Sequence, residues 1–213
     1  MNYMIDIELI LNTSARQKKE IENMDAKLSV PRVSSKIPSS LKEFARIITG
    51  IRRCGKSTFV NQDFRESGKN AFYLNFDDTA LYGFSADDFV ILEEAIERYQ
   101  KEQNASNAVY FDEIQIVDGW EHFARRLANE KRMVFVTGSN AKMLSREVAT
   151  TLGGRFLTLD VAPYSFAEYL RAYGVSLGKN WRYGKTASDV ERRFETYLRF
   201  GGLPECVEHA DKR

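Results

Sequence analysis

The octapeptide Gly50-Ile51-Arg52-Arg53-Cys54-Gly55-Lys56-Ser57 constrains this chain more than any other stretch. It fits the pattern of Gly, four residues, Gly, Lys, then Ser or Thr, in which backbone N–H groups cradle phosphates. The run Phe44–Thr49 before it reads as a buried strand, and Thr58–Phe64 after it reads as a helix. A glycine-rich turn aimed by a helix N-terminus forms a concave site for anions. In that context Lys56 is expected to reach the β- and γ-phosphates, and the Ser57 hydroxyl to sit on Mg²⁺. The phosphate-binding set is Gly50, Ile51, Arg52, Arg53, Cys54, Gly55, Lys56, Ser57 and Thr58.

After this loop, apolar runs and amphipathic segments alternate. Ala71–Phe76, Ala108–Phe111, Met133–Thr137 and Phe156–Val161 read as strands. Between them lies a helix with Ser85 as N-cap, acids at Asp87 and Asp88, and an apolar stripe of Phe89, Leu92, Ile96 and Tyr99. A second helix has Asp118 placed to cap it, Glu121 three residues on, and a buried face of Trp120, Phe123, Ala124 and Leu127. Alternation of this kind predicts an α/β fold with a parallel sheet covered on both faces. Ligands of such sheets bind outside the carboxyl ends of the strands. The phosphate loop, Asp112-Glu113 and Ser139-Asn140 all fall there. Residues 1–40 read as a peripheral extension, with a charged helix at Gln17–Asn23 and a Ser/Pro-rich linker from Ser29 to Ser40.

The acid that ends such a strand holds Mg²⁺ in a phosphate-loop protein, which assigns Asp112. Glu113, its neighbour, is placed to orient and deprotonate an attacking water. Asn140 ends the fourth strand, where its amide can bond that water or the γ-phosphate, or simply cap the segment that follows. Arg155 precedes the fifth strand, where a guanidinium can stabilise charge on the transferring phosphoryl group or form a surface ion pair. For Arg52 and Arg53 two readings stay open, a stiffening or intersubunit role and plain solvation. Cys54 lies where a helix N-terminus lowers a thiol pKa, so oxidation there would block nucleotide binding.

Composition removes several classes. Lys and Arg number 31 and Asp and Glu 30 among 213 residues, so no global charge favours nucleic acid or an anionic membrane. Cys54 and Cys206 form no metal-like spacing and read as free thiols of a reducing compartment. His122 and His209 have no zinc-like spacing either. No apolar run is long enough to span a bilayer, and Asp6 and Glu8 interrupt the N-terminal apolar stretch. A soluble cytoplasmic protein is the expectation. The guanine-reading Asn-Lys-x-Asp pattern is absent. Asp112-Glu113-Ile114-Gln115 is similar to a helicase box, but the length leaves no room for a second motor domain.

Taken together, the motifs resemble a group of prokaryotic AAA-superfamily ATPases that carry an AAA domain followed by a DUF4143 region. The matching residues are Ile48–Ser57, Phe111–Gln115, Gly119–Glu121, Gly138–Asn140, Gly154-Arg155, Pro163–Tyr169 and Tyr197–Glu205. The resemblance runs from about residue 41 to the end. It implies a five-stranded sheet of order 5-1-4-3-2 and ATP as the nucleotide. It also implies that Arg155 matches the finger position, serving a neighbouring subunit or its own site. Residues 41–162 would form the ATPase core and 163–213 the start of a helical or winged-helix lid. Family members continue beyond the Gly-Gly-Leu-Pro segment, so a sensor arginine and a partner-binding region are expected outside this chain, which puts robust turnover in doubt.

Two functions follow as expectations. The first is Mg-dependent ATP hydrolysis driving a conformational switch on a protein or nucleic-acid partner, through the C-terminal region and with a homo-oligomer if Arg155 acts between subunits. The second is a regulatory module that reads ATP against ADP with little turnover.

Overall fold

The computed structural model describes residues 4–24, 30, 32, 45–66, 70–138, 151–154, 156–178, 180–182, 185–205 and 207. The chain divides into two compact units. The first comprises Met1–Met24, Lys36–Gly50 and Lys56–Asp160; the second comprises Asp25–Ser35, Ile51–Gly55 and Val161–Arg213.

The first unit is built on five parallel strands. They are β1 (Ala45–Thr49), β2 (Phe72–Asn75), β3 (Ala108–Asp112), β4 (Met133–Thr137) and β5 (Phe156–Asp160), hydrogen-bonded in the order β2-β3-β4-β1-β5. This is the expected 5-1-4-3-2 arrangement. Helices α1 (Ile7–Asn23), α2 (Lys56–Glu66), α3 (Phe89–Glu102) and α4 (Trp120–Asn129) belong to the same unit. β1 and β3 are buried at every position, as central strands covered on two faces require.

The period of two along each strand separates the faces. Ile47, Phe72, Leu74, Val109, Phe111, Val134 and Val136 enter one continuous core with Leu92 and Ile96 of α3 and Trp120, Phe123 and Leu127 of α4. The alternate residues face the other way. There Phe64 of α2 meets the Tyr73 and Tyr110 rings edge-on, and Tyr110 stacks on Phe135 with centroids 4.2 Å apart. Burying each such side chain stabilises the fold by roughly 1.5–3 kcal/mol.

Three local expectations change. Residues 1–40 are not wholly peripheral: α1 begins ten residues before the expected charged segment, and Ile10 belongs to the main core. The charged surface of α1 hid an inner stripe of Ile10, Thr13, Ser14, Gln17 and Ile21. Gln17 also closes the exposed edge of β2. Its Oε1 accepts from the Asn75 N–H at 2.8 Å, and its Nε2 donates to the Asn75 carbonyl at 3.1 Å. Asp118 does not cap α4. The helix starts at Trp120, so the N-cap is Gly119, at φ 79°. Finally, Ser85 and Asp88 do form a capping box, but its first turn is a short 3₁₀ segment, Ala86–Asp88, which leads into α3.

The second unit contains α5 (Phe166–Ala172) and α6 (Lys185–Phe200). Ser165 caps α5 in a reciprocal box with Glu168. An aromatic cluster of Tyr164, Phe166, Tyr169, Tyr173 and Tyr197 joins the two helices. The Tyr164 N–H donates to the Gly202 carbonyl at 2.7 Å. A Cβ at Gly202 would lie 2.1 Å from the Tyr164 carbonyl oxygen, so this approach admits glycine alone. No helix among the described residues is long and apolar enough to cross a membrane.

Candidate functional site

β1 is short and buried throughout, and it delivers Gly50 to the carboxyl edge of the sheet. The chain then turns through Ile51–Gly55, where the Cys54 N–H donates to the Ile51 carbonyl at 3.3 Å. Two residues of the turn have left-handed backbones, Arg53 at φ 67° and Gly55 at φ 95°. A non-glycine residue held there carries strain of the kind that clusters at ligand sites. Lys56 opens α2 and is 7% exposed, and its ammonium donates to the Gly50 carbonyl at 3.1 Å. Lys56, Ser57 and Thr58 thus form the first turn of α2, whose N–H groups have no partner within the helix.

The third strand carries the acid. Asp112 ends β3, is 1% exposed, and its carboxylate lies among three hydroxyl partners. The Ser57 hydroxyl is 3.3 Å from Asp112 Oδ1, and the Tyr73 hydroxyl is 3.2 Å from Oδ2. The Thr137 hydroxyl also donates to Oδ1, and it accepts from the Glu113 N–H at 3.0 Å. Burial raises the Asp112 pKa, while the Thr137, Ser57 and Tyr73 hydrogen bonds pull it back and the Glu113 charge adds to the rise. Burial and the Asp112 carboxylate push the Tyr73 hydroxyl far above its ordinary value, so it remains a donor.

Glu113 is the first residue beyond β3 and is itself left-handed, at φ 54° and ψ 31°. The Gln115 amide donates to its Oε2 at 2.5 Å.

Ser57 and Asp112, predicted from segments 55 residues apart, are therefore brought together, with Lys56 preceding Ser57 and Glu113 following Asp112. Of the loop cations, Arg52 is exposed and Arg53 pairs with Glu205 at 2.5 Å. Cys54 is fully buried, unlike a thiol poised for oxidation. His122 is exposed on α4. Ser139, Asn140, Arg155, Cys206 and His209 lie outside the described residues. Sequence reasoning missed Thr137, Tyr73 and Gln115. Thr137 had a signal, because the last residue of β4 must lie beside the end of β3 once those strands pair. Among the described residues no group of three His, Cys, Asp or Glu could hold a metal.

A parallel sheet of this order, with a Gly-x₄-Gly-Lys-Ser turn between its first strand and the following helix, is the fold of a P-loop NTPase. An AAA domain family model matches residues 42–170, more than half of the chain, and the chain belongs to that family. It is accordingly a nucleotide-binding, ATPase-type domain. An uncharacterized protein of Methanocaldococcus jannaschii is 34% identical over 207 residues, covering 94% of this chain. An uncharacterized protein of Haemophilus influenzae is 32% identical over 179 residues, covering 78%. The chain spans 42% and 40% of the lengths of these two relatives. Among solved structures, Saccharomyces cerevisiae Hsp104 in its casein complex has a TM-score of 0.46 and 16% identity, covering 93% of this chain and 38% of that one.

Proposed function

We propose that this domain binds ATP with Mg²⁺ and hydrolyses it, and that the resulting change of state acts on a protein or nucleic-acid partner. The observation that carries the reading is the 3.3 Å approach of the Ser57 hydroxyl to the buried Asp112 carboxylate, beside a turn of phosphate-loop pattern.

The donor set fits the cation. Ser57 and Asp112 offer oxygen ligands only, and few of them, which suits an ion that keeps water and takes phosphate oxygens. Mg²⁺ held there would neutralise charge on the β- and γ-phosphates. The N–H groups of the Ile51–Gly55 turn and of the first turn of α2 bind phosphate oxygens. Lys56 exchanges its Gly50 carbonyl partner for the β- and γ-phosphates. Tyr73 and Thr137 hold the Asp112 carboxylate in place. Glu113 orients the attacking water and takes its proton on Oε1, the oxygen not engaged by Gln115. Asn140 assists the same water, and Arg155 stabilises the transferring phosphoryl group, in its own site or a neighbour's.

Purified protein with Mg-ATP should release phosphate, and Glu113→Gln should abolish release while sparing ATP binding. Absence of ATP binding by both proteins refutes the reading.

One observation favours a second reading, a nucleotide-dependent binding module with little turnover. The carboxylate assigned as general base is already engaged by the Gln115 amide. Tight ATP binding without measurable hydrolysis at any protein concentration would select it.

A further inference from the structure

Arg32 lies outside every motif of the phosphate site, yet its guanidinium is spent on the phosphate loop. It is buried, with 5% of its side chain exposed. Nη1 donates to the Cys54 carbonyl at 2.8 Å, Nη2 donates to the Ala162 carbonyl, and Nε donates to Glu168 Oε1 at 3.0 Å. The plane lies over the Tyr164 ring, 5.0 Å from its centroid.

A second observation is independent of these bonds. A Cβ at Gly55 would meet Arg32 Nη1 at 3.3 Å, on a backbone already at φ +95°. Gly55, the second glycine of the loop pattern, therefore leaves room for this guanidinium as well as adopting its own turn.

Both ends of the tie are anchored. Val30, two residues before Arg32, is buried with Tyr164 and Tyr169. Glu168 is fixed by the capping box of α5, its Oε2 accepting from the Ser165 N–H at 2.8 Å and hydroxyl at 2.9 Å. A chain of bonds thus runs from the N-terminus of α5 through Glu168 and Arg32 to the carbonyl of Cys54, two residues before Lys56.

We propose that Arg32 is a positioning residue of the phosphate loop: its fork holds the Cys54 carbonyl and backs Gly55, so the N–H groups of the loop are preorganised for phosphate before nucleotide arrives. The inference rests on the phosphate-site reading above. A lysine cannot replace the fork, because a single ammonium does not reproduce three coplanar bonds to Cys54, Ala162 and Glu168. Glu168→Gln keeps the shape of the support and removes its charge.

The test uses Cys54 as reporter, in a Cys206→Ser background where it is the sole thiol. Maleimide labelling of nucleotide-free protein under native conditions, ATP affinity by calorimetry, and Tm are measured for the parent, Arg32→Lys, Arg32→Ala and Glu168→Gln. Arg32→Lys should label Cys54 about tenfold faster and bind Mg-ATP about tenfold more weakly, with Tm within a few degrees of the parent, as expected for a local opening. Glu168→Gln should move both readouts the same way by less. Labelling and affinity unchanged in Arg32→Lys would overturn the proposal and leave the phosphate-site reading intact. Changes that merely track a large fall in Tm would also overturn it, since they mark a general structural role. A parent that binds no ATP would remove the phosphate-site reading and with it the positioning role. The labelling would then report only whether Arg32 ties down the turn. If Arg32→Ala does not fold, the lysine and Glu168 variants decide the matter.

Discussion

The Thr137 hydroxyl bridges Asp112 and the backbone of Glu113, donating to the Asp112 carboxylate and accepting from the Glu113 N–H. One side chain at the end of β4 thereby sets both the rotamer of the acid that ends β3 and the left-handed backbone of the acid beyond it. Thr137→Val keeps the volume and removes the donor. A buried carboxylate left short of a hydrogen bond costs about 1–3 kcal/mol. Urea unfolding should show that loss, and Mg-ATP binding should weaken with it. Thr137→Ser should restore both. A valine variant as stable as the parent would show that the bridge contributes nothing.

Gln17 caps the β2 edge with its side-chain amide and also donates to Asp78 at 2.8 Å. Replacing it with leucine leaves the Asn75 N–H and carbonyl unpaired at the outer edge of the sheet. The expected loss is about 1–3 kcal/mol, together with faster aggregation, because an open strand edge templates pairing with other chains. Chemical denaturation and light scattering during refolding check the two effects.

Asp63 gives a pH dependence with a definite sign. Burial raises its pKa, against the lowering effects of the Tyr110 hydroxyl at 2.9 Å and the Arg46 charge. A carboxyl raised in the folded state binds its proton more tightly there than in the unfolded chain. Stability is therefore highest at low pH for this group, and falls as pH rises from the ordinary aspartate value near 4 through the raised folded value. Asp63→Asn should remove that fall. Its stability relative to the parent should increase as pH rises through the window, read from urea midpoints across pH. A constant difference would refute the assignment.

Gly202→Ala tests the close approach in the second unit. The added methyl meets a backbone oxygen at 2.1 Å, which no rotamer can relieve. Overpacking of this kind costs typically 1–3 kcal/mol, or more where backbone must move. Limited proteolysis should cut the region of α5 and α6 sooner in the variant, while the β1–β5 unit resists as before.

Strand positions and the Ser57–Asp112 meeting were readable from the residues, through apolar runs and the phosphate-loop pattern, whereas the strand order came only from the resemblance to the AAA-superfamily ATPases. Apolar runs alternating with amphipathic ones leave few topologies, and the phosphate-loop pattern names both its lysine and the hydroxyl that follows. Side-chain periodicity likewise identified Phe89, Leu92 and Ile96 as one face of α3, and Trp120, Phe123 and Leu127 as one face of α4. The buried stripe of α1 was obscured by Thr13, Ser14 and Gln17, polar residues that tertiary contacts place inside.

Sequence by itself determined the strands and helices and the parallel, covered character of the sheet, since these depend on spacing within a segment. Tertiary structure alone decided that Thr137 and Tyr73 hold Asp112, that Gln115 engages Glu113, and that Arg32 and Glu168 brace Cys54. Apart from Gln115 and Glu113, which are near neighbours, those partners come from strands and turns far apart in the chain, and a hydrogen bond acts over about 3 Å, so only the folded backbone can choose them.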